Sequence, residues 1–121
     1  AGEIITIPGP HDTIMAGLSC GTASPIAMPK ISAGLSATVA FDDDWAEEAM
    51  RLLAAEGIVA GETGASAFAT LLAVVDANPE LRGALNLGPD AVALVIVTEG
   101  ATDPVNYRDI VGFDASEVRG E

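Results

Sequence analysis

"AVALVIVTEGATD", residues 91–103, is the stretch on which the reading of the fold turns. Its first seven residues are apolar and rich in valine. A continuous apolar run of that length is the pattern of a strand buried on both faces of a sheet. The run then becomes polar at Thr98, Glu99 and Gly100. In parallel α/β sheets ligands bind beyond the carboxyl ends of the strands, so residues 98–100 are expected to border a site.

Two more β-branched or alternating segments read as strands: "EIITI" (3–7), stopped by Pro8-Gly9-Pro10, and "ATVAF" (37–41). Between them, a short helix is expected to begin at Thr13, and "MPKISAG" (28–34) reads as a second short helix or turn closed by Gly34. The clearest helix is "DDDWAEEAMRLLAAEG" (42–57). Asp43 or Asp44 can accept hydrogen bonds from the unpaired amides of its first turn, and Glu47 and Glu48 suit the positive end of its dipole. Trp45, Ala49, Leu52 and Leu53 recur as an apolar stripe, and Gly57 ends the helix. "GASAFATLLAVVDAN" (64–78) is apolar nearly all round, which predicts a buried helix ended by Asn78-Pro79. "ELRGALNL" (80–87) reads as a short helix and turn. The alternation predicts an α/β fold with a partial, largely parallel sheet and flanking helices.

The 121 residues are enough for one modest core, and only 4% of them are aromatic, so that core must be built from Ala, Val, Ile and Leu. The formal net charge is −13. Such a surface repels phosphodiester backbones and anionic lipid, so no nucleic-acid or membrane partner is expected. No apolar run approaches the roughly 20 residues that span a bilayer, and no leader-like segment is visible, which predicts a cytoplasmic protein. One Cys and one His cannot supply an ordinary zinc ligand set, so no metal site is expected. Cys20 reads as a small buried thiol, His11 as a surface-loop residue, and the acid run "FDDDWAEE" as a solvated helix start.

Four segments in order, "DTIMAGLSCG", "ATVAFDDDWAEEAMRLLAAEGI", "GETGAS" and "VIVTEGATD", resemble the C-terminal part of pyridoxal-phosphate enzymes of the tryptophan-synthase β-like superfamily, fold type II. Within it, the chain is most similar to the diaminopropionate ammonia-lyase family, with Tyr107-Arg108 matching a further segment. The resemblance implies that residues 1–112 form the C-terminal portion of a large cofactor-binding domain, followed by a loose polar tail, 113–121. It implies a small amino-acid substrate, 2,3-diaminopropionate, that loses its α-proton and β-amino group to give pyruvate and ammonia. It also implies an intact homodimer, with the Schiff-base lysine, the acid–base groups and the phosphate cradle supplied by other parts of the chain. Lys30 matches none of the family's lysine motifs, so this segment alone is expected to be inactive.

The same resemblance gives roles to four residues. Thr98 would face the cofactor's pyridine nitrogen, Glu62 its ring edge, and Gly17 and Gly100 would let backbone approach the ring. The bland readings are a strand-end threonine bonded to backbone, a helix-start carboxylate and two plain turns. A threonine or serine dehydratase-like lyase is the alternative within the superfamily, although those enzymes carry an "ADG" version of "TIMAGLSCG". A non-catalytic acidic α/β interaction module is the alternative outside it.

Overall fold

Five helices carry the architecture of the computed structural model, which describes residues 3–119. They are α1 (Met28–Gly34), α2 (Asp43–Ala55), α3 (Ser66–Ala77), α4 (Pro79–Ala84) and α5 (Pro104–Val111), with 3-10 turns at Ala16–Leu18 and Ala115–Glu117. The helix α2 is the hub: it packs chiefly on α3 and then on α5.

The sequence explains α2 directly. Asp43 and Asp44 stand in its first turn, and Gly57, at φ +76°, makes the left-handed turn that ends it. Its buried stripe is Ala46, Ala49, Met50, Leu53 and Ala54, rotated about one residue from the expected one. Leu52 therefore faces outward and Trp45 packs at the edge of the core. Ala46 and Ala49 of α2, Ala60 and Ala65 of the following turn, and Ala69 of α3 are wholly inaccessible. Small side chains at each crossing let the backbones approach closely, which is how a core with so few aromatic residues closes.

Helix α5 was not anticipated, though its signals are local. Asp103 caps it by accepting from the amides of Val105 and Asn106, each at 3.1 Å, Pro104 takes its first position, and Gly112 follows it at φ +95°. It inserts Tyr107 into the core, and Arg51 of α2 donates to the Ile110 carbonyl at 3.0 Å while held by Glu47 at 2.7 Å. In the segment expected as a loose tail, Ala115 and Val118 pack on the core, and Arg108 pairs with Asp114. Gly120 and Glu121 lie outside the described residues.

The expectation of an α/β fold with a partial parallel sheet is overturned. Among the described residues there is no strand, and 3–7, 37–41 and 91–97 are irregular. A strand exists only through ladder hydrogen bonds to a neighbour, and none of the described backbone bonds joins residues 92–98 to another segment. The apolar run is bare: Val92 is 98% exposed and Leu94 89%. Apolarity alone does not create a strand. No helix among the described residues is long and apolar enough to cross a membrane.

Tyr107 is 1% exposed, and among the described residues its hydroxyl has no hydrogen-bond partner. Burial raises its pKa above the ordinary 10.0, because the phenolate is the form that loses most solvation. A proton held more tightly by the folded state stabilises it fully below the unfolded value. That stability is lost as pH rises through the raised value. Tyr107→Phe is therefore expected to raise stability at neutral pH by about 1 kcal/mol, since it removes an unsatisfied buried group, and to flatten the decline above pH 10. Urea titrations of both forms across the alkaline range check it; a loss at neutral pH would mean the hydroxyl is bonded.

Candidate functional site

Three short segments meet along one seam: the turn at 16–18, the glycine-flanked turn at 61–64, and residues 99–100 at the end of the apolar run. Each is drawn in by a specific bond. The Gly17 amide donates to Thr63 Oγ1 at 3.0 Å, and the Gly61 amide donates to the Glu99 carbonyl at 3.1 Å. Side chains at the glycines would block the approach. A Cβ on Gly64 would sit 2.0 Å from the Glu99 carbonyl oxygen, one on Gly61 2.3 Å from that of Gly100, and one on Gly17 2.7 Å from Thr63 Cγ2.

The first of these segments is held from behind by α2. Asp43, expected as a helix cap, makes no cap bond; its carboxylate instead accepts from Thr13 Oγ1 at 2.6 Å and from the Ile14 amide at 2.9 Å. That long-range latch fixes the chain just before Gly17, and it buries Met15 against the core. The sequence signal was present as an acidic triplet, but its partner thirty residues away was not readable from spacing.

Among the expected site residues, Glu62 is buried, 7% exposed, and its Oε1 accepts from the carboxamide of Asn106 on α5. Gly17 and Gly100 lie on the seam. The closeness at Gly17 is to Thr63, whereas Gly100 faces open space. Thr98 is exposed and stands just before the seam. The side-chain bonds of its segment run from Thr102 to Glu99 and from the α5 amides to Asp103, so its hydroxyl is not engaged by them. Asn106 was the functional-site neighbour that sequence reasoning missed; its signal was the capped helix start three residues before it.

Other candidates separate cleanly. Cys20 is exposed rather than buried, its thiol donating to the Thr22 carbonyl at 3.1 Å. Lys30 is exposed on α1. An open cleft of about 480 Å³ lies between the 12–18 loop and residues 39–43, and none of Gly17, Glu62, Thr98 or Gly100 lines it. No group of three His, Cys, Asp or Glu side chains among the described residues is placed to hold a metal ion.

Residues 1–99 match the family described as "Pyridoxal-phosphate dependent enzyme". The chain belongs to that family. It is similar to "Diaminopropionate ammonia-lyase" of Escherichia coli (strain K12), 36% identical over 118 residues, with 91% of this chain and 29% of that protein covered. The protein of the same name from Escherichia coli O157:H7 gives the same figures, and that of Salmonella typhimurium (strain LT2) is 35% identical over the same coverage. The chain thus spans 29% of the length of these curated relatives.

The cofactor of this family can be tested against the donors present. A flat, polar-edged ring needs backbone it can lie close to, a neutral or charged partner at its edge, and free surface. Residues 98–100 offer an exposed hydroxyl and a glycine open to space, and Glu62 offers a carboxylate beside Gly61, whose amide is bonded to the Glu99 carbonyl. These residues fit such a group.

Two substitutions test the seam. Gly64→Ala is expected to lose about 1–3 kcal/mol, because its methyl must displace backbone rather than a side chain. Gly34→Ala, in α1 with nothing within 4 Å of the added atom, is expected to gain about 0.5–1 kcal/mol. Thermal unfolding of the pair reads the contrast directly. Asp43→Ala, which removes two bonds to a carboxylate, is expected to cost about 2 kcal/mol and to expose the backbone around Ile14 to hydrogen exchange.

Proposed function

We propose that this chain is the C-terminal portion of a pyridoxal-phosphate-dependent ammonia-lyase that converts 2,3-diaminopropionate to pyruvate and ammonia by α,β-elimination. The observation that carries the reading is the 35–36% identity, over 91% of the chain, to relatives named for that activity. The intact enzyme is read as cytoplasmic and homodimeric, with a small amino acid as substrate and the rest of its own chain as the partner of this segment. The bare apolar run at 91–97 supports that last point. Exposed residues such as Val92 and Leu94 form the kind of contiguous apolar surface that other chain normally covers.

Pyridoxal phosphate, when bound, supplies an electron sink that lets an α-proton leave and a β-substituent be expelled. The contribution of this chain is to bind and orient. Thr98 would offer a neutral hydroxyl to the pyridine nitrogen and, unlike a carboxylate, would leave that nitrogen largely unprotonated. Glu62 would face the ring edge. Gly17 and Gly100 would let the backbone pass close beside the ring. No proton-transferring or covalent role falls to these residues. Lys30, exposed on α1, is not assigned the cofactor linkage.

In the intact enzyme, Thr98→Val is expected to weaken cofactor retention by about 1 kcal/mol, roughly fivefold, with little change in melting temperature. Unchanged cofactor content and kinetics would show that Thr98 is structural. For the 121-residue chain, incubation with pyridoxal phosphate and borohydride is expected to give no stoichiometric adduct by mass spectrometry and no pyruvate from 2,3-diaminopropionate. Full labelling of Lys30 with pyruvate release would overturn this reading.

A further inference from the structure

We propose that Asn106 is a positioning residue for Glu62, holding one carboxylate oxygen so that the other is presented to the bound cofactor. The proposal rests on the reading of this segment as a wall of the cofactor site. It starts from the way Glu62 is held. Glu62 is buried, yet the hydrogen bond it receives comes from a neutral carboxamide, that of Asn106 onto Oε1. Buried carboxylates are normally paired with a cation or several donors, because desolvation penalises the charge. The two arginines on the elements nearest to it are already engaged. Arg51 holds Glu47, Glu48 and the Ile110 carbonyl, and Arg108 holds Asp114.

The second carboxylate oxygen, Oε2, is not among the buried side-chain atoms left without a partner, so it is open to a ligand. One donor on Oε1 fixes the plane of the group and leaves Oε2 with no side-chain donor among the described residues. Asn106 is suited to this because a carboxamide donates without adding charge, so it fixes the carboxylate without quenching its negative potential.

The placement of Asn106 is itself anchored. Its backbone amide donates to Asp103 Oδ1 at 3.1 Å, in the cap that starts α5. Asp103 lies five residues after Thr98 on the segment whose Glu99 carbonyl accepts from Gly61. The segment that carries Thr98 therefore also carries the side chain that aims Glu62. The two contacts with the ring are set by one stretch, 98–106, rather than independently.

The test uses the intact enzyme, stripped of cofactor and titrated with pyridoxal phosphate while its visible absorption band is recorded. Asn106→Ala is expected to raise the cofactor Kd about tenfold and to shift the band. Glu62→Gln is expected to do the same, and the double variant is expected to be no worse than either single one, because both remove one coupled contact. Asn106→Asp, the same size, keeps the fold testable if the alanine variant does not fold; by setting a carboxylate against a carboxylate it is expected to weaken the cofactor at least as much. Variants that melt earlier but keep the wild-type Kd and band, or whose effects add to that of Glu62→Gln, overturn the assignment to Asn106 while leaving the cofactor reading intact. A wild-type enzyme that takes up no pyridoxal phosphate overturns the cofactor reading and this one with it.

Discussion

The carbonyl oxygen of Glu99 lies where a side chain on residue 64 would have to be. That exclusion orders the rest of the site. With glycine at 61 and 64, the backbone after the apolar run can drop onto the turn before α3, and the Gly61 amide is free to donate to that same carbonyl at 3.1 Å. Once residues 99–100 are seated there, the chain is directed toward Asp103, and the cap at Asp103 sets the start of α5. The helix then returns Tyr107 to the core and Asn106 to Glu62. Van der Waals exclusion at two glycines thus seats the segment that leads into α5, while the Asp103 cap sets where that helix begins.

The same economy of side-chain volume appears in the core. Alanines of α2, α3 and the intervening turn are fully buried, and the large, fully buried side chains are Met50 and Tyr107. An alanine interface gives little apolar area per residue, about a third of what leucines would give, so its contribution comes mainly from close backbone approach and dispersion. Tyr107 supplies bulk that the alanines do not, and it carries an unbonded hydroxyl into the interior to do so. A protein built this way depends on fit more than on buried area, which is why one methyl at residue 64 is expected to matter more than many surface changes.

What the sequence disclosed follows the range of the interactions. Helices α2 and α3, the glycine stop at Gly57 and the break at Asn78-Pro79 were all legible, because each depends on residues within a turn or two. Helix α5 is equally local, with Asp103-Pro104 before it and Gly112 after it, but its eight residues are too few for apolar periodicity to mark it. The strands failed for a different reason. Residues 91–97 have the composition of a buried strand, but pairing and burial are relations with other segments, and here Val92 and Leu94 meet solvent. Asp43 shows the same limit on a smaller scale: the residue type marked a helix start, while its actual bonds run to Thr13 and Ile14.

The candidate site divides along the same line. Glu62, Gly17, Gly100 and Thr98 were named from motif resemblance, which registers residue types at positions but not their contacts. The contacts give them different standing. Gly17 is accounted for by its approach to Thr63, and a structural reason is sufficient there. Gly100 and Thr98 have no comparable internal reason, since one opens onto free space and the other is exposed. Glu62 lies between these cases: it is internally bonded through Oε1 to the Asn106 carboxamide, while its Oε2 has no side-chain donor among the described residues. Gly17 thus has an internal contact beside its proposed role, whereas Gly100 opens onto free space and Thr98 is exposed.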